Sequence, residues 1–250
     1  MEHSISRLQH ELKRRQVTVQ EAIYITPNML RVVFTGKDLT DFNSPAPDNH
    51  VKLFFPVQSG GMEGRDYTPR AFDNTAQTLT IDFATHEGQH EPGPATSWAM
   101  NAKPGDTLEI GGPRGSTIIS PTFDWWMLIG DETALPAIAR RLEELPANTA
   151  VKAIICVISQ ADEQQFKTRA KCDITWLHRP THQAANPTPV LDLLETTSLP
   201  EGDGFIWIAT EASVARAVKD YLVNTRSHPL AWTKSAGYWL QGNAKVHDKG

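Results

Sequence analysis

The stretch Trp126-Met127-Leu128-Ile129-Gly130-Asp131-Glu132-Thr133-Ala134-Leu135-Pro136 decides how this chain folds. Its apolar run does not alternate with polar residues, which is the pattern of a parallel strand buried on both faces. Helical spacing follows in Leu135, Ile138, Ala139 and Leu142, predicting a helix over 133–145 with Pro136 tolerated in its first turn. A strand, an acidic turn and a helix in that order make the first step of an α/β layer. The pattern continues with strands expected at 151–158, 174–177 and 205–209 and a last one at 231–234, before Gly237-Tyr238-Trp239. Between them the spacing predicts a short helix around 162–170, a Pro/Gln/Ala-rich loop at 179–189 and a helix near 190–196. Thr210 can cap a further helix whose apolar stripe is Val214, Val218, Tyr221 and Leu222, with Glu211 favouring its positive end. Residues 121–250 therefore read as a doubly wound α/β domain.

Upstream of Ser120-Pro121 the rhythm is different. Val17 and Val19, Ile23 to Ile25, Met29 to Thr35, His50 to Pro56, Thr78 to Ala84 and Thr107 to Ile110 are short β segments separated by turn residues such as Thr26-Pro27-Asn28 and Pro104-Gly105-Asp106. Strands at this spacing predict an antiparallel Greek-key β-barrel over residues 15–120. Residues 2–15 carry Leu8 and Leu12 among charges and read as a short helix or a loose arm.

With 250 residues, 40% of them hydrophobic, the chain can build two ordinary cores. A formal net charge of −5 gives no reason to expect nucleic acid or an anionic membrane as partner, so an anionic ligand requires a local basic pocket. The two cysteines, Cys156 and Cys172, are too few for a disulfide framework and fit a reducing cytoplasm. No run approaches the roughly 18 apolar residues of a membrane span, and no signal peptide is evident. A cytoplasmic monomer is the default expectation.

Within the first domain, Arg65-Asp66-Tyr67-Thr68-Pro69-Arg70 sets two guanidinium groups around an aromatic ring and a hydroxyl. Pro69 biases Thr68 to an extended conformation, so the stretch reads as one short strand. Arg65 and Tyr67 then share one side while Thr68 and Arg70 reach from the other, suiting a planar ligand with a charged tail such as an isoalloxazine with a pyrophosphate. Downstream lie Asp82-Phe83-Ala84-Thr85-His86 and Gly93-Pro94-Ala95-Thr96-Ser97-Trp98. His86, Glu87, His90 and Glu91 have two histidines four apart, but Gly88 and Pro92 oppose the helix on which that spacing converges, and no metal site is expected. The second domain shows no G-x-G-x-x-G after a strand.

Taken in order, Arg65 to Arg70, His86 to Trp98, Leu128 to Pro136 and Gly237-Tyr238-Trp239 resemble the siderophore-interacting proteins, flavin-dependent ferric-siderophore reductases related to ferredoxin reductases. The resemblance runs from about Val17 onward. It implies FAD as cofactor, with Arg65 and Arg70 in the binding motif, Arg65 on phosphate, Tyr67 stacked on the isoalloxazine and Thr68 near its reactive edge. It further implies that Asp82, Phe83, His86, Pro94, Ala95, Thr96 and Ser97 hold the rest of the cofactor, and that Asp131, Thr133 and Trp239 lie near the flavin. The donor implied is NADH, NADPH or reduced ferredoxin, with Ala209-Thr210-Glu211 where a nicotinamide would approach. The substrate implied is a ferric siderophore, met by the basic residues Lys52, Arg114, Lys234 and Lys245. The sequence departs from the family in Glu87-Gly88 with the extra Gln89-His90-Glu91, in Thr210 where glycine is common, and in Leu240-Gln241 after Tyr-Trp. Two other readings stay open: an NAD(P)H–flavin oxidoreductase with another acceptor, and a non-catalytic ferric-siderophore binder.

Overall fold

A computed structural model describes residues 3–57, 60–85 and 93–242. It divides into two compact units, one formed by Glu2–Ser120 together with Pro136–Glu144, the other by Pro121–Leu135 and Leu145–Gly250.

The first unit contains β1 (Ile5–Gln9), β2 (Arg14–Thr26), β3 (Met29–Thr35), β4 (Val51–Pro56), β5 (Met62–Tyr67), β6 (Pro69–Asp73), β7 (Thr78–Ala84), the helix α1 (Pro94–Asn101), β8 (Thr107–Gly111) and β9 (Gly115–Ile119). Seven strands form one antiparallel sheet in the order β5-β4-β8-β2-β3-β7-β6. Its two edge strands, β5 and β6, are consecutive in the chain and joined through Thr68 alone. Laid flat, the edges of such a sheet would be about 29 Å apart at ~4.8 Å per step. The Cα atoms of Tyr67 and Pro69 can be separated by no more than ~7 Å. The sheet must therefore curl into a barrel-like form, and the Arg65–Arg70 stretch is where the curl comes round. The single strand expected there is two strands for this reason.

Alternation supplies the core. Val17, Val19, Val32, Phe34, Val51, Leu53, Phe55, Leu79, Ile81, Phe83 and Ile110 are buried on the concave side with Ala95 and Ala99 of α1. The arm expected at 2–15 is instead partly a strand. β1 pairs antiparallel with β9 although every residue of β1 is exposed. Backbone pairing without a buried face leaves no period in the sequence to read.

The helix α2 (Leu135–Glu144) follows β10 in the chain, but its residues from Pro136 belong with the curled sheet. Arg140, buried, donates to the Ser44 hydroxyl at 3.0 Å, to the Ser44 carbonyl at 2.8 Å and to the Pro69 carbonyl at 3.0 Å. Glu143 accepts a two-pronged bond from Arg70 at 2.7 and 2.9 Å. The helix is thereby fastened to the strand on which the curl closes.

The second unit is a five-stranded parallel sheet of β10 (Trp125–Gly130), β11 (Ala150–Val157), β12 (Lys171–His178), β13 (Gly204–Glu211) and β14 (Thr233–Trp239), in the order β12-β11-β10-β13-β14. Its helices are α3 (Thr188–Thr196) and α4 (Ala212–Asp220). All residues of β10 and of β13 are buried, as the unbroken apolar run predicts. Two expectations change. The helix around 162–170 is only a short turn at Gln160–Asp162, and Phe166 beyond it stacks on Trp176 of β12 with centroids 6.2 Å apart, holding the segment along the strand. The last strand begins two residues later than expected and runs through Gly237-Tyr238-Trp239, after a turn at Leu230–Trp232. Among the described residues no helix is long and apolar enough to cross a membrane.

Candidate functional site

At the corner of the curled sheet, cross-strand pairing assigns the faces. Tyr67 lies opposite Val51, Arg65 opposite Leu53 and Asp66 opposite Lys52, and paired residues share a face. Arg65 and Tyr67 are thus together on the side of the buried Val51 and Leu53, while Lys52 and Asp66 lie on the outer side, joined by an ion pair of 2.7 Å. The Tyr67 ring is partly buried against Phe83, centroids 4.4 Å apart, and Phe55 at 6.3 Å. Burial pushes the Tyr67 hydroxyl pKa upward, with the nearby Arg65 charge opposing it, so the phenol stays protonated. Arg65 bonds the Gly64 carbonyl at 3.0 Å and pairs with Glu63 at 3.0 Å. Thr68 is buried at the corner itself.

Arg70 leaves this group. The pairing of β6 with β7 shifts between Pro69 and Ala71, a bulge that re-aims the residue within it, and the Arg70 guanidinium goes to Glu143. Asp82 is likewise engaged, both oxygens held by Arg31 at 2.7 Å. Phe83 is wholly inside the core, so its side chain acts by supporting Tyr67. Neither Glu143 nor Arg31 was visible as a partner from sequence, being 73 and 51 residues from the groups they hold.

The helix α1 starts at Pro94, capped by Gly93 with no side-chain cap bond. Pro94 has no N–H and the Ser97 amide already bonds the Gly93 carbonyl, which leaves the amides of Ala95 and Thr96 outside the helix ladder. Trp98 of the same helix packs near Phe55 and Phe83, 5.6 and 6.5 Å between centroids, so the helix start and Tyr67 are joined by one aromatic layer. A planar aromatic surface, a guanidinium and a helix N-terminus in one unit fit a cofactor with a flat ring and a phosphate tail. His86, with the His90 segment, and Lys245 lie outside the described residues. Arg114 is exposed in the turn between β8 and β9, and Lys234 is partly buried on β14.

In the parallel unit the chain order reverses between β10 and β13, the position at whose carboxyl ends open α/β sheets bind ligands. Asp131 follows β10 there and is 1% exposed. Its Oδ1 accepts the Thr133 amide at 3.0 Å and the Thr133 hydroxyl at 2.6 Å, and its Oδ2 accepts the Glu211 amide and the Trp239 indole N–H, each at 2.9 Å. Glu211, not Thr210, caps α4, its carboxylate accepting from the amides of Ser213 and Val214 and from the Ser213 hydroxyl, while the other oxygen takes the Gln241 amide at 3.3 Å. The Thr210 hydroxyl is spent on the Glu211 carbonyl at 3.0 Å.

Beside them, Glu132 accepts from Arg179 at 3.1 Å. Burial, then the Asp131 charge, lifts the Glu132 pKa to about 7 against the opposing pull of Arg179. Burial also raises Cys156 to about 12, so that thiol stays protonated and unreactive. Glu132 and Arg179 were not singled out from sequence; the signal available was that both lie just past the end of a parallel strand, Arg179 after β12 and Glu132 after β10.

Comparison with known proteins gives the family. The family model for the siderophore-interacting protein matches residues 123–242, and the one for the siderophore-interacting FAD-binding domain matches residues 18–64 and 61–117. The chain is 32% identical, over 93% of its length and 95% of the relative, to the NADPH-dependent ferric-chelate reductase of Escherichia coli (strain K12). It is 32% identical to the ferric vibriobactin reductase ViuB of Vibrio cholerae, over 88% of this chain and 86% of the relative. A crystal structure of a siderophore utilization protein from T. fusca superposes with a TM-score of 0.87 at 35% identity, covering 98% of each chain. The chain belongs to the siderophore-interacting protein family.

Proposed function

We propose that this protein is an FAD-dependent ferric-siderophore reductase that takes electrons from NADH or NADPH and releases iron as Fe(II). The observation that carries the reading is the Tyr67 ring, seated on Phe83 and Phe55 with Arg65 on the same face, in a chain of this family. FAD, when bound, supplies the electron transfer, so no general acid, base or covalent nucleophile is needed from the protein. Tyr67 supplies the stacking surface, and its protonated hydroxyl adds no charge there. Arg65, by exchanging Glu63 for a phosphate, and the amides of Ala95 and Thr96 hold the charged tail, with Pro94 and Ser97 shaping the turn. Thr68 contributes its hydroxyl at the corner. Arg70 and Asp82 serve by fixing the frame through Glu143 and Arg31.

In the parallel unit Asp131, Thr133 and Trp239 define the donor side, at the carboxyl ends of β10, β13 and β14. Reduced ferredoxin is the alternative donor. Lys52, Arg114 and Lys234 supply positive charge for a bulky anionic chelate; the Lys52 ammonium is surface-accessible and exchanges Asp66 for the ligand at little cost. Fe(II) is held weakly by hard oxygen donors, so reduction frees the metal. The free cysteines suit a reducing cytoplasm, and a monomer is the default state.

The test is anaerobic. The purified flavoprotein is photoreduced, a ferric siderophore and a ferrous-iron trap are added, and flavin reoxidation is followed beside trapped Fe(II). Two Fe(II) per fully reduced flavin support the reading; reduced flavin that persists, or a colourless preparation, overturns it. In parallel, Tyr67→Ala is expected to weaken FAD retention by at least about tenfold, the loss of one good stacking contact. Unchanged FAD affinity would refute the placement of the ring.

A further inference from the structure

We infer that Glu63 is a specificity-determining residue of the flavin site: its carboxylate holds Arg65 ready for a phosphate and, by repulsion, selects the phosphodiester of FAD over the phosphomonoester of flavin mononucleotide (FMN). The inference rests on the flavin reading above and deepens it.

Glu63, Arg65 and Tyr67 are spaced two apart on β5 and pair with Phe55, Leu53 and Val51 of β4, so all three stand on one face of the strand. Neighbours in this row are about 7 Å apart, two residues at ~3.4 Å each. The Arg65 side chain is only 18% exposed, and a guanidinium so placed needs a counter-charge. Glu63 supplies it, with Oε1 3.0 Å from Nη2, while Nη1 donates to the Gly64 carbonyl at 3.0 Å. Both partners come from the same strand, so the guanidinium is aimed before any ligand arrives. The two bonds leave further N–H donors on the group.

The carboxylate that orients Arg65 also stands against an anion. With the flavin ring on Tyr67, the phosphate nearest the ring is the one within reach of Arg65, a single strand repeat away. FAD and FMN share that phosphate but not its charge. In FAD it is an internal diester with a single negative charge. In FMN it is a terminal monoester whose second ionisation, at a pKa of about 6, leaves it close to doubly charged at neutral pH. When the phosphate takes over the guanidinium, Glu63 swings aside but cannot leave, because the pairing of its backbone with Phe55 fixes where the side chain starts. Two unit charges about 7 Å apart change an affinity about threefold even at the dielectric of water. The penalty is then about threefold for the diester and, doubled in charge, about tenfold for the monoester. Riboflavin, with no phosphate, escapes it.

The experiment uses the full chain purified with its FAD, as wild type, Glu63→Gln and Arg65→Gln. Each is dialysed to equilibrium against mixtures of FAD, FMN and riboflavin, and the flavins retained are released and quantified by chromatography. Glu63→Gln is expected to tighten FMN about tenfold and FAD about threefold and to leave riboflavin unchanged, so that FMN gains on FAD about threefold. At about 1 M salt, where the screening length is ~3 Å, that gain should vanish. A merely structural Glu63 would move all three flavins alike. Equal changes for the three, or a gain of FMN on FAD that survives high salt, would overturn the inference. Arg65→Gln should weaken FAD and FMN but not riboflavin; if it weakens neither, the phosphate is not on Arg65 and the reading above falls. If Arg65→Gln acts as expected while Glu63→Gln leaves the FMN to FAD ratio unchanged, this inference alone falls. Should Glu63→Gln fail to fold, Glu63→Thr, which also removes the carboxylate and suits a strand, must give the same order of gains, and its failure to do so refutes the selection.

Discussion

Replacing Glu132 by Gln should flatten the dependence of stability on pH near neutrality. The Glu132 carboxyl has an ordinary pKa of 4.5 and is lifted in the folded state to about 7, chiefly by burial and secondarily by Asp131. A carboxyl whose folded pKa is raised binds its proton more tightly in the native than in the unfolded state. Between pH 4.5 and about 7 the native form thus holds the extra proton, and stability falls as pH rises through that window. A tenfold difference in proton affinity between the two states corresponds to about 1.4 kcal/mol, so the full effect is on the order of 3 kcal/mol. Arg179, at 3.1 Å, keeps the cost from being larger. The assay is the urea midpoint of the holoprotein and of Glu132→Gln at half-unit steps from pH 5 to 8. Wild type should lose stability relative to the variant as pH rises, since Gln bears no charge to desolvate. Parallel curves would show that Glu132 titrates in the native state as it does unfolded, and would refute the account of this buried group.

Arg140→Ala removes donors from the Ser44 carbonyl and hydroxyl and the Pro69 carbonyl, and should cost about 3 kcal/mol in urea unfolding, with Arg140→Lys recovering only part. A loss below about 1 kcal/mol would mean that water replaces those bonds easily. Glu211→Ala uncaps α4 and should lower stability by about 1–2 kcal/mol, seen as faster amide exchange at Ser213 and Val214. Gly204→Ala would drive its Cβ into the ring of the buried Trp125, and should destabilise by about 3 kcal/mol or prevent accumulation of folded protein.

The strands with a buried face could be read directly. The run through Trp126–Ile129 signals a parallel strand because both of its faces are covered, and Val17, Val19, Val32 and Phe34 signal antiparallel ones because they alternate. β1 could not be read, since no face of it is buried. The segment after Asp162 has residues a helix would accept, but the ring contact between Phe166 and Trp176 and the bond between Glu163 and His178 hold it along β12 instead. Among the candidate residues, types and neighbourhoods were legible: an arginine beside a tyrosine, an acid after a strand. Their partners were not, because Arg70 with Glu143, Arg31 with Asp82 and Asp131 with Trp239 are brought together only by the folded chain. A local pattern can show that a guanidinium is present, and only the fold shows what already holds it.

The assignment of Pro136–Glu144 to the curled sheet has a consequence for inheritance. The two units are not successive cassettes: a recombination joint placed at Ser120-Pro121 would graft a foreign helix, with foreign residues at positions 140 and 143, onto a native sheet. Arg70 would then meet an unselected neighbour, and the Ser44 and Pro69 carbonyls an unselected donor. Exchanging residues 121–250 between relatives is therefore constrained by the nine residues Pro136–Glu144, and chimaeras should tolerate the exchange only when that helix travels with the sheet it clasps.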